Sequence, residues 1–265
     1  MGPLLFLLFV NDLPSVICPS TSCRLFADDC LIYRSIKSVA DQVILQRDLQ
    51  SLYTWGKTWG LNFNIDKCNI MHLDRSVNKP VRFYTLGGQF LKSVIEAKYL
   101  GIIFSNNYGT RSSQWKAHIM STATKANQKL GFIRRNLRGS PYKLRELSYI
   151  TLVRSSLEYC GSIWDPTNND EVNRLEMVQR RAARWARGAH GIISVTKLLR
   201  DLNWLDLADR RRVQRLSLFY KVLHGDLDIP PQSVDLIRTS GSTRTRRSHQ
   251  WSLQRASGKD KSSPL

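Results

Sequence analysis

Acidic residues are scarce in this chain, and so are the residues that build metal or disulfide frameworks. Only 21 Asp and Glu stand against 40 Lys and Arg, a formal net charge of +19. An excess of that size points to a polyanionic partner or an anionic surface. Five cysteines, at 18, 23, 30, 68 and 160, form no C-x-x-C pair, and the five histidines are scattered. Zinc-finger and disulfide-framework spacings are therefore excluded, and a reducing, intracellular setting is expected. Long apolar runs are missing as well. Leu4 to Val10 is an apolar stretch of seven residues with no basic flank before it and Asn11-Asp12 directly after it. That is too short and wrongly flanked for a signal peptide or a transmembrane helix. Phe6 stands where a myristoylation signal needs Ser or Thr. No internal repeat is found.

What the chain does have is material for a core. Its 265 residues are 42% hydrophobic and include seven Trp, enough for one large or two medium domains. The charge is unevenly placed. Residues 1–110 carry 11 basic against 8 acidic side chains, whereas residues 111–221 carry 22 against 9. The middle block holds most of the excess.

One acidic pair stands out. Asp28-Asp29 is flanked by Leu25 and Phe26 before it and by Leu31, Ile32 and Tyr33 after it. Apolar, β-prone flanks around two turn residues predict a β-hairpin over 23–35 with both carboxylates at its tip. Adjacent carboxylates repel each other, so ionising both where water is scarce calls for a cation. Hard oxygen donors suit Mg²⁺. For Asp-Asp alone a solvated turn is the better explanation, because short motifs match often by chance.

Around the hairpin the pattern is mixed. Residues 3–14 predict a short buried helix with Pro3 in its first turn. Such a bare apolar opening is expected of a chain cut from something longer. Ser38-Val39-Ala40-Asp41 reads as a capping box. Behind it Leu45, Leu49, Leu52, Trp55 and Trp59 recur at helical spacing and predict a helix over about 40–58, ended by Gly60. Strands are expected at Ile70–Leu73, Val81–Tyr84 and Gln89–Leu91, with a turn at Gly87-Gly88. Tyr99–Phe104 reads as a strand pair or a bent strand around Gly101. Residues 74–80 are a polar segment ending in Pro80.

From Ser112 the hydrophobic period changes to 3.6 and stays there. It predicts a long helix marked by Trp115, Ile119, Ala123, Ala126, Leu130 and Ile133, broken at Gly139-Ser140-Pro141. Further helices are expected from there to about Tyr159, then over 169–187, 194–201 and 206–223, with the basic residues on the outer faces. Residues 226–265 are rich in Pro, Ser, Thr, Arg and Gly, the composition of a disordered tail.

Several segments, in this order, resemble the reverse transcriptase of non-LTR (LINE-type, jockey-like) retrotransposons. Gly2-Pro3-Leu4-Leu5-Phe6 through Asn11-Asp12-Leu13-Pro14 resembles the segment before the catalytic hairpin. Phe26-Ala27-Asp28-Asp29 is similar to the Y/F-A-D-D box. Leu61-Asn62-Phe63-Asn64-Ile65-Asp66-Lys67-Cys68, with Trp55 and Trp59 ahead of it, resembles the next motif, which carries a lysine. Tyr99-Leu100-Gly101 resembles the Y-L-G of the primer-grip hairpin. Leu152-Val153-Arg154, Trp164-Asp165-Pro166, Val178-Gln179-Arg180-Arg181-Ala182, Arg210-Arg211-Arg212 and Phe219–Gly225 resemble the thumb region. Thr245-Arg246-Arg247-Ser248-His249 is similar to a family tail.

The resemblance implies an α+β fold. A partial polymerase palm with antiparallel strands, over 1–110, is followed by an all-helical basic thumb over 111–225 and the tail over 226–265. It implies an RNA-directed DNA polymerase acting on an RNA template and a DNA primer with deoxynucleoside triphosphates. It implies Mg²⁺ held by Asp28 and Asp29, with Lys67 at the leaving pyrophosphate and Tyr99, Leu100 and Gly101 at the primer end. Nucleic acid would be gripped by Arg134, Arg135, Arg138, Arg180, Arg181, Arg184, Arg187, Arg210, Arg211 and Arg212. The family's fingers and the Asp-bearing strand that completes its metal site have no counterpart in these residues. The expectation is a fragment that is inactive alone, in an intracellular setting that includes the nucleus. Two alternatives stay open: a helical nucleic-acid-binding protein, and a non-functional remnant of a decayed element.

Overall fold

The computed structural model describes residues 1–73, 82–106, 114–166, 168–189, 193–227, 229, 236–238 and 251–253. The expected polar segment 74–80, the residue Val81 and most of the tail, including the stretch 245–249, lie outside the described residues. The chain divides into two units, Met1–Gln114 and Trp115–Leu265. Helices and small, mostly antiparallel strand pairs make it α+β. Among the described residues no helix is long and apolar enough to cross a membrane.

The first unit is built on one amphipathic helix. After the short helix α1 (Gly2–Phe9) and a 3₁₀ turn at Leu13–Val16, strands β1 (Ser22–Phe26) and β2 (Asp29–Tyr33) form an antiparallel hairpin. Helix α2 (Val39–Thr58) follows. Its start is set by a complete capping box: the Ser38 hydroxyl accepts from the Asp41 amide while the Asp41 carboxylate accepts from the Ser38 amide. Leu49, Leu52 and Trp55 are buried, whereas Trp59, one turn further, is exposed. The alternating face of the hairpin carrying Cys23, Leu25, Cys30 and Ile32 packs on Leu52, Trp55, Val10, Leu13 and Ile17. Leu49, Tyr84 and Leu86 form a second cluster on the same helix. Gly56 lets the chain double back: a β-carbon there would lie 2.5 Å from the Leu61 carbonyl oxygen.

The remaining strands of this unit are short. β3 (Asn69–Ile70) pairs in parallel with β6 (Lys92–Ser93), and β4 (Thr85–Leu86) pairs with β5 (Gln89–Phe90) across Gly87-Gly88. β7 (Glu96–Tyr99) and β8 (Ile102–Ser105) form a hairpin whose turn residues Leu100 and Gly101 both have positive φ, 46° and 84°. Positive φ at both central residues is the type I′ requirement, and its twist matches that of the flanking strands.

Three expectations are corrected here. Helix α1 exists, but none of its residues is buried, and Leu4 and Leu8 are 66% and 73% exposed. It touches the core only on the side of Phe6, and being apolar all round it has no polar face to turn outward. The strand expected at Ile70–Leu73 is Asn69–Ile70, and residues 71–73 have no regular structure. The strand expected to end at Tyr84 begins instead at Thr85, held by Gln46, whose side chain bonds the Thr85 amide and carbonyl at 2.8 and 2.9 Å.

The second unit is helical up to Gly225. α3 (Lys116–Asn136) packs against α6 (Asn169–Arg187). Between them α4 (Tyr142–Ser148), a π-helical turn (Tyr149–Arg154) and α5 (Ser155–Glu158) run as one continuous rod. α7 (Val195–Asp201) and α8 (Leu207–His224) complete it. Ile119 and Ala126 on α3 and Leu175, Val178 and Ala182 on α6 are fully buried, the apolar stripes by which the two helices enter the core. Asn168 caps α6 by accepting from the Glu171 amide, and Gly188 ends it in the left-handed conformation. In the π-helical turn Tyr149 is buried. It stacks on Trp204 with ring centroids 4.5 Å apart and donates to Gln179 Oε1 at 3.0 Å. Gln179 in turn donates to the Leu205 carbonyl at 2.9 Å. Beyond α8, β9 (Leu236–Arg238) pairs with β10 (Trp251–Leu253).

Candidate catalytic hairpin and basic helical surface

Phe26 and Asp29 face each other across the last rung of the β1–β2 ladder, so the turn holds only Ala27 and Asp28. Ala27 carries φ of +50°, which the two-residue turn demands of its first residue. The expected tip is thus shifted by one residue: Asp28 sits in the turn and Asp29 opens β2. Both carboxylates are exposed. The strand's alternation puts Asp29 on the outward face with Leu31 and Tyr33, opposite the buried cysteine side.

The base of the hairpin is fixed by charge. Arg34 donates to Ser20 Oγ, Thr21 Oγ1 and Asp41 Oδ1. Asp48, buried on α2, accepts from the Cys18 amide at 2.9 Å and from the Thr21 hydroxyl. The hairpin is therefore tied to the first half of α2 at its open end. The Asp41 carboxyl is held down to about 2 by the Ser38 hydroxyl, the Arg34 guanidinium and the Lys37 amide.

Tyr99 ends β7 at the turn of the second hairpin. Burial raises its phenol pKa first, and the Asp29 carboxylate raises it further. The Tyr99-Leu100-Gly101 turn and Asp29 thus lie within electrostatic reach of each other. Lys67 ends an exposed 3₁₀ turn, Ile65–Lys67, and no ion pair joins it to Asp28 or Asp29 among the described residues. Under the hairpin, Cys23 Sγ and Cys30 Sγ are 3.7 Å apart. Burial and the neighbouring Cys23 push the Cys30 thiol up to about 12, so it stays protonated. No spacing rule on the sequence pointed to this pair, because it depends on the hairpin's register.

The arginines of the second unit fall into two groups. Arg134, Arg135, Arg138, Arg181, Arg184, Arg187 and Arg212 are exposed, and Arg180 is half-buried. Arg181 donates to Asn127 Oδ1, and Arg187 donates to the Asp201 carbonyl while lying over the Tyr142 ring. Arg210 and Arg211 depart from the expected outward placement. Arg210 makes a bidentate pair with Glu158, with Nη2 3.0 Å from Oε2. Arg211 is 1% exposed and bonds Asp165. Successive helical residues point about 100° apart, so three consecutive arginines cannot share one outer face. Missed on the sequence were Arg145 and Trp185, which border the same cavity as Arg134, Arg135 and Arg138. They lie on different helices, and no local pattern joins them.

Comparison with known proteins bears on this geometry. Residues 1–104 match the family model of reverse transcriptases (RNA-dependent DNA polymerases). Over 268 residues the chain is 29% identical to the probable RNA-directed DNA polymerase from transposon BS of Drosophila melanogaster, covering 92% of this chain and 28% of that protein. It is 26% identical over 274 residues to the probable RNA-directed DNA polymerase from transposon X-element of the same fly, covering 94% of this chain and 29% of that protein. These matches support the resemblance to a non-LTR retrotransposon reverse transcriptase. The chain spans less than a third of the length of these relatives. No solved structure matches it.

Proposed function

From a segment that matches the reverse transcriptase family over residues 1–104, we propose that this chain carries the catalytic hairpin and the nucleic-acid grip of an RNA-directed DNA polymerase. The element would be a non-LTR retrotransposon of the LINE-type, jockey-like group. In this reading 1–110 is palm and 111–225 is thumb, and the partners are an RNA template, a DNA primer and deoxynucleoside triphosphates, inside the cell and in its nucleus. The observation that carries the reading is the β1–β2 hairpin, with Asp28 in its two-residue turn and Asp29 opening β2, inside the matching segment.

Asp28 and Asp29 are neighbouring hard-oxygen donors, both exposed. They fit Mg²⁺, which takes one or two carboxylates and completes its octahedron with water and phosphate oxygens. Bound there, the metal supplies charge neutralisation at the triphosphate and lowers the pKa of the primer hydroxyl. Asp28, in the turn, is the principal ligand, and Asp29 is the supporting one. Leu100 and Gly101 present backbone at a tight turn, where a primer terminus can approach closely. Lys67 supplies a mobile ammonium for the charge that develops on the leaving pyrophosphate. The exposed arginines of the helical unit hold the phosphate backbone without reading sequence.

Two carboxylates fall short of the set that a two-metal centre uses, and among the described residues no three His, Cys, Asp or Glu side chains converge. This chain alone is therefore expected not to extend a primer. The test is extension of a DNA primer on an RNA template with Mg²⁺. It compares this chain with one carrying the preceding polypeptide of the transposon BS relative at its amino terminus. Extension is expected only from the longer chain, and Asp28→Ala should abolish it. Extension that survives Asp28→Ala would overturn the assignment. Salt-dependent binding without extension by either chain would favour the helical nucleic-acid-binding reading.

A further inference from the structure

Four arginines and one tryptophan line an open cavity of about 610 Å³ in the second unit. Arg134 and Arg135 stand in the last turn of α3, Arg138 follows that helix, Arg145 comes from α4 and Trp185 from the end of α6. No carboxylate lies among its described lining residues. Arg145 Nη1 donates to the Trp185 carbonyl at 3.3 Å, which fixes the cation beside the indole's own helix. Its Nε is buried and has no hydrogen-bond partner among the described residues.

A plainer account is that these arginines complement helix dipoles. It covers Arg134 and Arg135 on α3 and Arg145 at the end of α6. The magnitudes decide against it as a full explanation. Two helix C-termini present about one negative charge together, against four guanidinium groups. Arg138 lies outside any helix. A concave site with that surplus focuses its field on an anion. The volume falls within the range of about 300–1,000 Å³ usual for small-molecule sites. The indole adds a flat apolar surface of the kind on which single-stranded bases stack.

We propose that this cavity is a subsite for one nucleotide of a single-stranded nucleic acid, its phosphate held by Arg134, Arg138 and Arg145 and its base set against Trp185. The proposal rests on the reading of the helical unit as a nucleic-acid grip and specifies where that grip takes an unpaired nucleotide. Duplex, by contrast, has no splayed base to offer the cavity.

The test is fluorescence anisotropy of the full chain with labelled oligothymidylate, labelled oligouridylate and a labelled duplex of equal length, at fixed salt. Arg134→Gln/Arg138→Gln and, separately, Trp185→Leu should each weaken single-strand binding by about 10-fold or more, the scale of one base stack. Duplex binding should change by less than about twofold in Trp185→Leu, which removes no charge, and should fall by less than single-strand binding in Arg134→Gln/Arg138→Gln, because the other exposed arginines remain. Adenosine monophosphate should displace the single strand well before adenosine or inorganic phosphate does. Equal losses on duplex and single strand, or no loss on either, would overturn the subsite. So would displacement by inorganic phosphate as readily as by the nucleotide. A chain that binds single strands in this way but not duplex would leave the subsite standing and remove the duplex grip instead.

Discussion

Arg211 is buried with its Nε 3.3 Å from Asp165 Oδ1, while Arg215 Nη1 holds the other carboxylate oxygen at 3.0 Å. The Arg211 guanidinium also lies over the Trp164 ring, 5.5 Å from its centroid. Burial lowers the Arg211 pKa, and the Asp165 carboxylate opposes that shift. The Trp164-Asp165-Pro166 turn is thereby fastened to α8. Residues that read on the sequence as part of a phosphate grip serve here to join a loop to a helix.

Removing the anion from this arrangement leaves a buried cation without its partner. Asp165→Ala should destabilise the chain by about 1–3 kcal/mol, less than the roughly 3–5 kcal/mol of a fully enclosed pair, because water reaches the Asp165 side chain. Arg212→Ala, on the exposed neighbour of Arg211, should stay within about 0.5 kcal/mol. Urea unfolding followed by circular dichroism separates the two. Equal stability of Asp165→Ala and the native chain would show that the pair holds nothing together.

A second internal tie is testable by the same measurement. Gln179→Leu keeps the volume but strands both the Tyr149 hydroxyl and the Leu205 carbonyl that Gln179 now satisfies. Each orphaned group costs about 1–3 kcal/mol when buried. Adding Tyr149→Phe should recover part of the loss by deleting one orphan. If the double variant is no more stable than the single one, the hydroxyl carries no desolvation penalty.

The helices were legible in the sequence because their signals are local. The Ser38–Asp41 box and the Leu49, Leu52, Trp55 stripe lie within one helix, and α2 formed where they predicted. The β3–β6 pair was not, because β3 finds its partner more than twenty residues away and neither segment shows alternation of its own. The acidic hairpin was readable from two charges between β-prone flanks, although the turn took Ala27 and left Asp29 in the strand. The Cys23–Cys30 contact and the cavity beside Trp185 depend on register and on packing between distant helices, which no window of sequence contains. The inward placement of Arg211 was open to inference, since a helix cannot turn three successive side chains the same way.

The hairpin's attachment should be sensitive to acid. The folded pKa of Asp41 is depressed to about 2, below the unfolded carboxylate value near 4. A depressed pKa contributes stability that is present above the unfolded value and is lost as pH falls through the folded one. The Asp41 contribution is therefore expected to be intact above about pH 4 and to disappear towards pH 2. Asp41→Asn should flatten that part of the stability–pH curve, measured by thermal unfolding between about pH 2 and 6. An unchanged slope would mean that the capping box and the Arg34 pair do not persist in solution.

The outer arginines carry the last expectation. With Arg210 and Arg211 committed internally, the exposed set on α3, α6 and α8 is what remains for phosphate. If about six phosphates are neutralised, log K for duplex should fall with log[salt] at a slope near −5. Arg180→Ala/Arg181→Ala/Arg184→Ala should weaken binding alike on unrelated sequences and make the slope shallower by about one for each phosphate no longer neutralised. Arg211→Lys, by contrast, should leave the slope unchanged, since that side chain is enclosed and meets no solvent. Titrations of labelled duplexes at several salt concentrations decide the matter. A flat salt response would remove the phosphate grip, and a loss confined to one sequence would replace it with base readout.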